Sequence, residues 1–338
     1  MNTLINMYVK IYMNRHNLML NLSKILGRSN LSKAQSYLKF WLNFRHDYNY
    51  KHPSKLIDKN AVVFIIDGKT IHGGLSDRLR GLLSVYNYCL KRNKKLIINW
   101  TYPFNLSEYL KINTSNAEYG GYISHNLNEV AFRFFNSYSF MNDDEKLYFK
   151  LLDTNKPITH VYSNVTLHEE LYCKFFNELF MPTESLQKVI NKCLNEIGGK
   201  YISITFRFIG LLGDFNDTYS TGITLTQEQK DDYIEHCLNA IKALRQKHKD
   251  VSRILVTADS NLFLSLAKEL DYVYVVPGVV THMDGKGASS QLKTFLDFFI
   301  ISKAESCYCY QYGNMFAGTK FARTSALIGG KKIIEINE

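Results

Sequence analysis

The spacing of hydrophobic and polar residues changes several times along the chain, and each change predicts an element of structure. A short apolar run at residues 61–66 leads into a glycine-rich turn, and helical periodicity follows from about 78 to 91. A second apolar run at 95–100 predicts another strand. Together the segments predict a strand–helix–strand unit whose turn lies at the carboxyl end of the first strand, where α/β sheets bind ligands.

A more regular alternation of short apolar runs and amphipathic segments begins at residue 201. It predicts strands at 201–206, 252–257, 272–276, 305–310 and 331–336. Between them it predicts helices at 226–246, 260–269, 289–303 and 321–328. Such an alternation is typical of a parallel, doubly wound sheet. Between the two regions, 167–179 and 184–197 predict helices, whereas 110–160 has little periodicity.

The length of 338 residues exceeds what one hydrophobic core usually organises, so two domains of roughly 150 residues each are expected. Gly198 interrupts the pattern, and we place the domain boundary there. The predicted fold is α/β, with an N-terminal Rossmann-like domain at 56–198 and a C-terminal one at 199–338, facing each other across a cleft. A basic helical arm at 1–55 precedes them.

The formal net charge of +10 is unevenly distributed, since residues 1–46 contain seven Lys or Arg and no acidic residue. Apolar residues interleave with these basic ones, as in a helix that lies on an anionic membrane surface. A helix that packs on its own protein or on another subunit fits the pattern equally well. Nucleic-acid binding is disfavoured, because the chain has no helix-turn-helix, zinc-knuckle or RNP-like aromatic motif.

The sequence predicts neither a membrane span nor an export signal. No segment contains the roughly 18 consecutive apolar residues that a span needs, and the N-terminus lacks an apolar stretch ending in a small-residue cleavage site. We therefore expect a cytoplasmic protein, either soluble or attached to the inner face of the cell membrane through its basic arm.

The first candidate for chemistry is the glycine-rich turn before the first predicted helix. Gly74 lets backbone approach a ligand, and Asp77, Arg78 and Arg80 follow at a helix start, which favours anions. A purely structural turn fits this pattern as well. His72 and Asp77 are candidate proton acceptors. Positions 78 and 80 point in different directions on one helix, so at most one arginine is expected to share a cleft with Asp77.

Two further candidates lie at predicted strand ends. Arg207 ends the strand at 201–206, where its planar guanidinium is suited to bind a diphosphate. An inter-domain salt bridge to Asp214 or Asp217 is the structural alternative. Asp259 and Ser260 end the strand at 252–257, where they either serve the base or ribose of a nucleotide or cap the next helix.

The fourth candidate is the segment 313–326, in which small and hydroxyl residues meet a predicted helix start. The amides of a helix start favour anions, so phosphate groups are expected between Arg207 and the amides near Phe321.

These four segments, in this order, resemble the fucosyltransferase superfamily over about residues 62–336. That superfamily includes bacterial α-1,2- and nodulation α-1,6-fucosyltransferases and the protein O-fucosyltransferases. The stretch GGLSDRLRG looks like the family's glycine-rich first motif, and ITFRF looks like its His-x-Arg strand. The resemblance implies that Arg207 contacts the β-phosphate of the donor.

The remaining motifs match less completely. VTADS resembles the strand whose aspartate lies near the guanosine, which implies that role for Asp259. GTKFARTSA resembles a Ser-x-Phe-Ser motif that contacts donor phosphates and base, here Thr319, Phe321 and Ala322. Two departures are visible: Thr205 stands where the family has His, and Ala322 where it has Ser.

The resemblance implies a GT-B fold and an inverting, metal-independent transfer of fucose from GDP-fucose to a glycan hydroxyl, with no cofactor. The predicted catalytic residues are Arg207, Asp77 and His72, with Asp214 as a further candidate base. The predicted donor-binding residues are Gly74, Arg207, Asp259, Ser260, Thr319, Phe321 and Ala322, and the predicted acceptor-binding residues are Arg78, Arg80 and Asp214. No metal site is predicted.

For a cytoplasmic basic protein the expected acceptor is a glycan or lipid-linked oligosaccharide of bacterial surface polysaccharide synthesis. Two alternatives stay open. One is a GT-B transferase that uses another nucleotide sugar, and the other is a catalytically silent protein that binds glycans, nucleotides or membranes. The departures at Thr205 and Ala322 favour the silent protein if they mark a loss of catalysis.

Overall fold

The computed structural model describes residue 44 and the ranges 47–53, 60–70, 72–120, 124–135, 143–215, 223–281, 288–317 and 319–338, with the side chains of 288–290 excepted. The helical arm predicted at 1–55 therefore lies outside the described residues, apart from residue 44 and 47–53.

Twelve strands are described. Their bounds are β1 Ala61–Ile66, β2 Lys95–Trp100, β3 Leu110–Ile112, β4 Ala117–Tyr119, β5 Val130–Phe135, β6 Ile158–Ser163, β7 Phe180–Pro182, β8 Tyr201–Phe206, β9 Arg253–Ala258, β10 Val273–Tyr274, β11 Cys307–Gln311 and β12 Ile333–Asn337. The helices between them are α1 Leu75–Arg92, α2 Glu145–Leu152, α3 Tyr172–Leu179, α4 Glu184–Ile197, α5 Gln227–Lys247, α6 Asn261–Ala267, α7 Ala288–Lys303 and α8 Lys320–Ile328.

The strands form two five-stranded parallel sheets, in the orders β4-β2-β1-β6-β5 and β10-β9-β8-β11-β12. The short strands β3 and β7 pair antiparallel. In each sheet the strand that comes first in the chain lies in the middle. On its far side the second sheet continues in chain order, with β11 and then β12, whereas the first sheet has β6 next to β1 and β5 at the edge. The predicted mixed α/β fold with parallel sheets is confirmed.

The central strands are apolar because both faces of each sheet are covered. Every residue of β1, AVVFII, is buried, and the same holds for β8, YISITF. Next to β1, strand β2 alternates between half-buried and buried positions, and the edge strands β4 and β10 have only three and two residues. Strands β3, β4 and β5, helix α2 and the start of β6 lie in the stretch at 110–160, in which the sequence has little periodicity.

Helix α1 lies directly on the first sheet. A Cβ at Gly81 would overlap the carbonyl oxygen of Ser163 at the end of β6, so only glycine fits at this contact. The helix ends at Asn93, whose left-handed backbone (φ 51°) closes the last turn.

The hydrophobic core of the first sheet continues into helices α7 and α8 of the second half. Tyr109 stacks on Phe295 of α7 with ring centroids 4.3 Å apart, and Arg323 of α8 donates to Glu169 at 3.1 Å. None of the helices in the described part of the chain combines the length and apolar character that crossing a bilayer requires.

Candidate functional site at the carboxyl ends of the two sheets

Strands β1 and β8 each lie at the centre of their sheet. In the second sheet the chain passes from β8 to β9 on one side and from β11 to β12 on the other, so the loops run in opposite directions, and the second crevice is expected between the carboxyl ends of β8 and β11. In the first sheet the chain passes from β1 to β2 on one side and leaves the sheet after β6 on the other, so the corresponding position, the first crevice, lies between β1 and β6. The residues that follow β1 and β8 are Asp67 and Arg207.

Asp67 bridges the first crevice. Its carboxylate accepts a hydrogen bond from the hydroxyl of Tyr162 on β6 at 2.7 Å and one from the amide of Lys69 at 3.0 Å. The Nε2 atom of His72 lies 3.6 Å from Oδ1. Burial raises the pKa of Asp67, but the neighbouring His72 and the hydrogen bonds from Lys69 and Tyr162 outweigh it and lower the pKa. Asp67 is therefore a fixed anion.

His72 is buried beside Asp67 and stacks on the ring of Tyr162 with centroids 6.0 Å apart. Its Nε2 accepts a hydrogen bond from the amide of Gly68 at 3.2 Å. A neutral imidazole that accepts at Nε2 carries its proton on Nδ1, and this atom is buried without a partner among the described residues. In this arrangement His72 supplies a donor and not the free lone pair of a base.

Asp77 caps the start of α1. Its Oδ2 accepts from the amide of Gly74 at 3.3 Å, and its Oδ1 forms an ion pair with Arg80. The carboxylate is 32% exposed. Arg80 itself is buried and also donates to the carbonyl of Ser76 and the hydroxyl of Thr166. Of the two arginines near the start of this helix, Arg80 is thus the one paired with Asp77.

Arg78 is completely buried, with 0% of its surface exposed. Its Nε donates to the carbonyl of Gly73 and its Nη1 to the carbonyl of Tyr102, both at 2.9 Å, and the guanidinium lies 5.8 Å from the ring of Trp100. Arg78 therefore ties the loop after β1 to the loop after β2. Both predicted acceptor-binding arginines lie beneath the crevice and support its shape.

Arg207 lies at the second crevice with its side chain partly exposed. Its side chain is 31% exposed, its Nη1 lies 3.4 Å from Oδ2 of Asp259, and its guanidinium lies 5.7 Å from the ring of Phe215. The carbonyl of Arg207 accepts from the amide of Phe316, which follows β11. The second, third and fourth predicted motifs therefore meet at one sheet edge.

Asp259 holds the loop that follows Arg207. It is 3% exposed, and its two oxygens accept from the amides of Phe208 at 2.7 Å and Ile209 at 2.8 Å. Burial raises the pKa of Asp259, while Arg207 and the two amides oppose the increase. Ile209 has a left-handed backbone (φ 49°) followed by Gly210 (φ 76°), so Asp259 fixes a tight turn.

Ser260 and Asp214 organise the start of α6. The Ser260 hydroxyl accepts from the amide of Phe263 at 3.0 Å, as expected for a helix cap, and donates to Oδ2 of Asp214 at 3.0 Å. The amide of Leu262 also donates to Asp214. Asp214 is exposed and lies with the second sheet, away from its predicted companions Arg78 and Arg80.

The C-terminal motif begins helix α8 at Thr319, which is buried and forms no side-chain cap. Phe321 packs on Phe298 with ring centroids 5.6 Å apart, and Ala322 is fully buried. At Ala322 only the backbone is positioned to serve a ligand. Thr205, where the family has His, is buried and shares a 2.7 Å hydrogen bond with Thr257 on the next strand.

Sequence reasoning missed Asp67, Tyr102 and Tyr162. Asp67 directly follows an apolar run, which is the signal that singled out Arg207 and Asp259, so the same rule applied to β1 finds it. Among the residues that the structure describes, no group of three or more His, Cys, Asp or Glu is arranged to hold a metal ion.

Comparison with known proteins finds similarity in structure only. No family model matches the chain, and no curated protein matches its sequence. NodZ α-1,6-fucosyltransferase co-crystallised with GDP matches with a TM-score of 0.52 and 15% identity, over 80% of this chain and 93% of that one. Fucosyltransferase NodZ from Bradyrhizobium matches with a TM-score of 0.50, 15% identity and the same coverage.

A structure of POFUT1 in complex with GDP-fucose also matches, with a TM-score of 0.45 and 8% identity over 82% of this chain and 98% of that one. The two NodZ comparisons show that the chain has the fold of that fucosyltransferase. The resemblance to the fucosyltransferase superfamily is thereby confirmed at the level of the fold.

Proposed function

We propose that this chain is a fucosyltransferase with a GT-B arrangement, which transfers fucose from GDP-fucose to a hydroxyl of a glycan. One observation carries the proposal: the partly exposed guanidinium of Arg207 is fixed by Asp259 at the reversal point of the second sheet. The fold of a NodZ structure co-crystallised with GDP supports the nucleotide assignment.

The donor diphosphate lies in this proposal against Arg207 and the amides at the start of α8. A planar guanidinium donates two parallel hydrogen bonds to phosphate oxygens, and a helix start favours negative charge. Asp259 and Ser260 hold the surrounding loops for the nucleoside, with Thr319, Phe321 and Ala322 beside it. Gly74 leaves room for the diphosphate on the opposite side.

The proposed reaction is a single displacement that inverts the anomeric carbon. The acceptor oxygen forms a bond to C1 of fucose as the bond from C1 to the β-phosphate oxygen breaks, and GDP leaves. Asp77 takes the proton of the acceptor hydroxyl, because its carboxylate is partly exposed whereas His72 has its acceptor nitrogen engaged. Arg207 stabilises the departing diphosphate by roughly 3 kcal/mol, without a metal ion.

The domain division belongs to the same proposal. Residues 56–198 form the acceptor domain and 199–338 the donor domain, and each contains one of the two parallel sheets. Asp214 borders the cleft from the donor side. Arg78 and Arg80 shape the acceptor side from beneath.

The acceptor is proposed to be a glycan or lipid-linked oligosaccharide of bacterial surface polysaccharide synthesis. The basic segment 1–46 supports this proposal, because it is suited to bind an anionic membrane surface at the cytoplasmic face. Cosedimentation of the full chain with vesicles tests the membrane part. If the chain binds anionic and neutral vesicles equally, the proposed attachment to an anionic membrane surface is wrong.

Calorimetry with GDP, UDP and GDP-fucose tests the donor site, using the full chain, Arg207→Ala and the control Arg253→Ala. Arg253 begins β9 at the opposite edge of the same sheet and donates to the carbonyl of Asp271. We expect GDP to bind in preference to UDP, with and without a chelator, and Arg207→Ala to weaken it about 50-fold. The Arg253→Ala variant should bind as the unmodified chain does.

The other outcomes separate the alternatives. A preference for another nucleotide indicates a different donor sugar, and GDP binding without transfer to any acceptor indicates a silent binding protein. Binding that is indifferent to Arg207 would overturn the proposed donor site.

A further inference from the structure

The crevice of the first sheet contains two chemically different groups held by the same stretch of backbone. Ile66, the last residue of β1, accepts hydrogen bonds from the amides of Thr101 at 2.9 Å and Tyr102 at 3.2 Å. Asp67 follows Ile66 in the chain. Gly68 then packs so closely on Tyr102 that a Cβ there would lie 2.6 Å from ring atoms Cγ and Cδ2.

The ring of Tyr102 is exposed and rigid at the same time. The residue is 37% exposed, although it directly follows the buried end of β2. Its amide is bonded to Ile66, its carbonyl to the buried guanidinium of Arg78, and part of its ring rests on Gly68. An aromatic ring fixed in this way contacts a ligand with little further loss of conformational freedom.

The carboxylate of Asp67 retains acceptor capacity. Its Oδ2 accepts from Tyr162 and its Oδ1 from the amide of Lys69, and each carboxylate oxygen has two lone pairs. His72 and Gly68 pack behind it and fix its position. This anion disfavours a phosphate in contact with Asp67 itself and favours groups that donate hydrogen bonds.

We propose that Tyr102 and Asp67 form a saccharide subsite, in which a hexopyranose of the acceptor lies against the ring and donates a hydroxyl to the carboxylate. A pyranose with mainly equatorial hydroxyls fits both groups, because its axial C–H bonds make an apolar face and its hydroxyls surround the rim. The proposal rests on the glycosyltransferase function above and assigns its acceptor side.

Saturation-transfer NMR on the full chain tests the subsite, with a panel of β-linked tetrasaccharides built from glucose, galactose and N-acetylglucosamine. The variants are Tyr102→Leu, Tyr102→Phe and Asp67→Asn. Tyr50→Leu is the matched control, because Tyr50 is 67% exposed and lies beside Asn128, before the amino end of β5 at the opposite edge of the same sheet.

We expect a tetrasaccharide of the panel to bind the unmodified chain, and Tyr102→Leu to weaken it about fivefold, as for loss of an aromatic contact. Tyr102→Phe and Tyr50→Leu should bind normally. Asp67→Asn should weaken binding by a similar factor, because an amide accepts from a hydroxyl less strongly than a carboxylate. GDP affinity, measured on the same samples, should be equal in all four variants.

The two proposals fail in distinguishable ways. If GDP binds but no tetrasaccharide does, or if Tyr102→Leu behaves like Tyr50→Leu, the subsite is wrong while the donor site stands. If saccharide binding depends on Tyr102 but GDP does not bind, the subsite stands and the fucosyltransferase assignment fails. If Tyr102→Leu weakens GDP and saccharide alike, the residue acts through general structure and the subsite is overturned.

Discussion

Both sheets are parallel and have the strand that comes first in the chain at their centre, but their carboxyl edges use their arginines in opposite ways. At the first edge Arg78 and Arg80 are buried, and their nitrogen atoms donate to carbonyl, hydroxyl and carboxylate oxygens of the protein. At the second edge Arg207 stays about one third exposed beside the buried carboxylate of Asp259. An arginine at a strand end or helix start thus supports a loop in one case and faces solvent in the other, and burial distinguishes the two.

The carboxylates differ in the same crevices. Asp67 accepts hydrogen bonds from a hydroxyl and an amide and lies beside an imidazole, and its pKa is lowered despite burial. Asp259 is buried more deeply, and burial raises its pKa although Arg207 and two amides oppose the increase. The first edge therefore stabilises its anion by neighbouring donors, and the second encloses its anion to hold a turn.

The largest expected effect comes from Arg78→Met. The change keeps most of the volume but leaves the carbonyls of Gly73 and Tyr102 without their buried donor. We expect the free energy of unfolding to fall by about 3 kcal/mol in chemical denaturation. Arg253→Met, which loses one exposed contact, should cost less than about 1 kcal/mol. If the two substitutions lowered the free energy of unfolding equally, Arg78 would not stabilise the loops after β1 and β2.

Replacing Thr205 by His restores the family's residue at the second edge. Thr205 is buried and bonded to Thr257, so the larger ring has to displace neighbouring side chains. We expect Thr205→His to lower the free energy of unfolding by about 2 kcal/mol and to leave GDP affinity no higher. Thr205→Ser, which keeps the hydroxyl, serves as the control. Unchanged stability with tighter GDP binding would show that the site still accommodates His.

The two carboxylates should give stability opposite dependences on pH. The lowered pKa of Asp67 means that its contribution is present above the unfolded value of 3.8 and is lost as the pH falls through the folded pKa. The raised pKa of Asp259 means that its contribution is present at low pH and is lost as the pH rises from 3.8 through the folded pKa.

Denaturation series over this range, with Asp67→Asn and Asp259→Asn beside the unmodified chain, measure both contributions. On acidification, the free energy of unfolding of the unmodified chain should fall relative to that of Asp67→Asn. It should rise relative to that of Asp259→Asn. Both substitutions also alter hydrogen bonds, which shifts the free energy of unfolding by an amount independent of pH. Only the change with pH of the difference between each variant and the unmodified chain is therefore compared. If both differences in the free energy of unfolding changed with pH in the same direction, the proposed contrast between Asp67 and Asp259 would be wrong.

The sequence predicted β1, β2 and β8 well, because β1 is a continuous apolar run and in the other two the polar residues are small or lie near the ends. Their bounds agree with the predicted 61–66, 95–100 and 201–206. The pattern missed β5 and β6, in which the large polar side chains of Arg133 and His160 lie inside the strand. His160 in β6 is buried because the hydroxyl of Tyr48, 112 residues earlier, hydrogen-bonds to its Nδ1. A partner so distant in the chain leaves no periodic signal.

The same limit explains which site residues were anticipated. Arg207 and Asp259 follow apolar strands, and their position alone implies that they reach the sheet edge. The burial of Arg78 and Arg80 depends on Tyr102 and Thr166, 24 and 86 residues further along the chain. Sequence spacing indicates that these arginines begin a helix, but it does not indicate what covers them.

The smallest expected effect compares two helix caps. Ser260 caps α6 at the second crevice and Thr226 caps α5, so replacing either by Ala should lower the free energy of unfolding by about 1 kcal/mol. Only Ser260 also holds Asp214, which borders the loop after Arg207. We therefore expect Ser260→Ala alone to weaken GDP binding, by about threefold. Equal GDP affinity in the two variants would show that Asp214 and its loop do not contribute to the donor site.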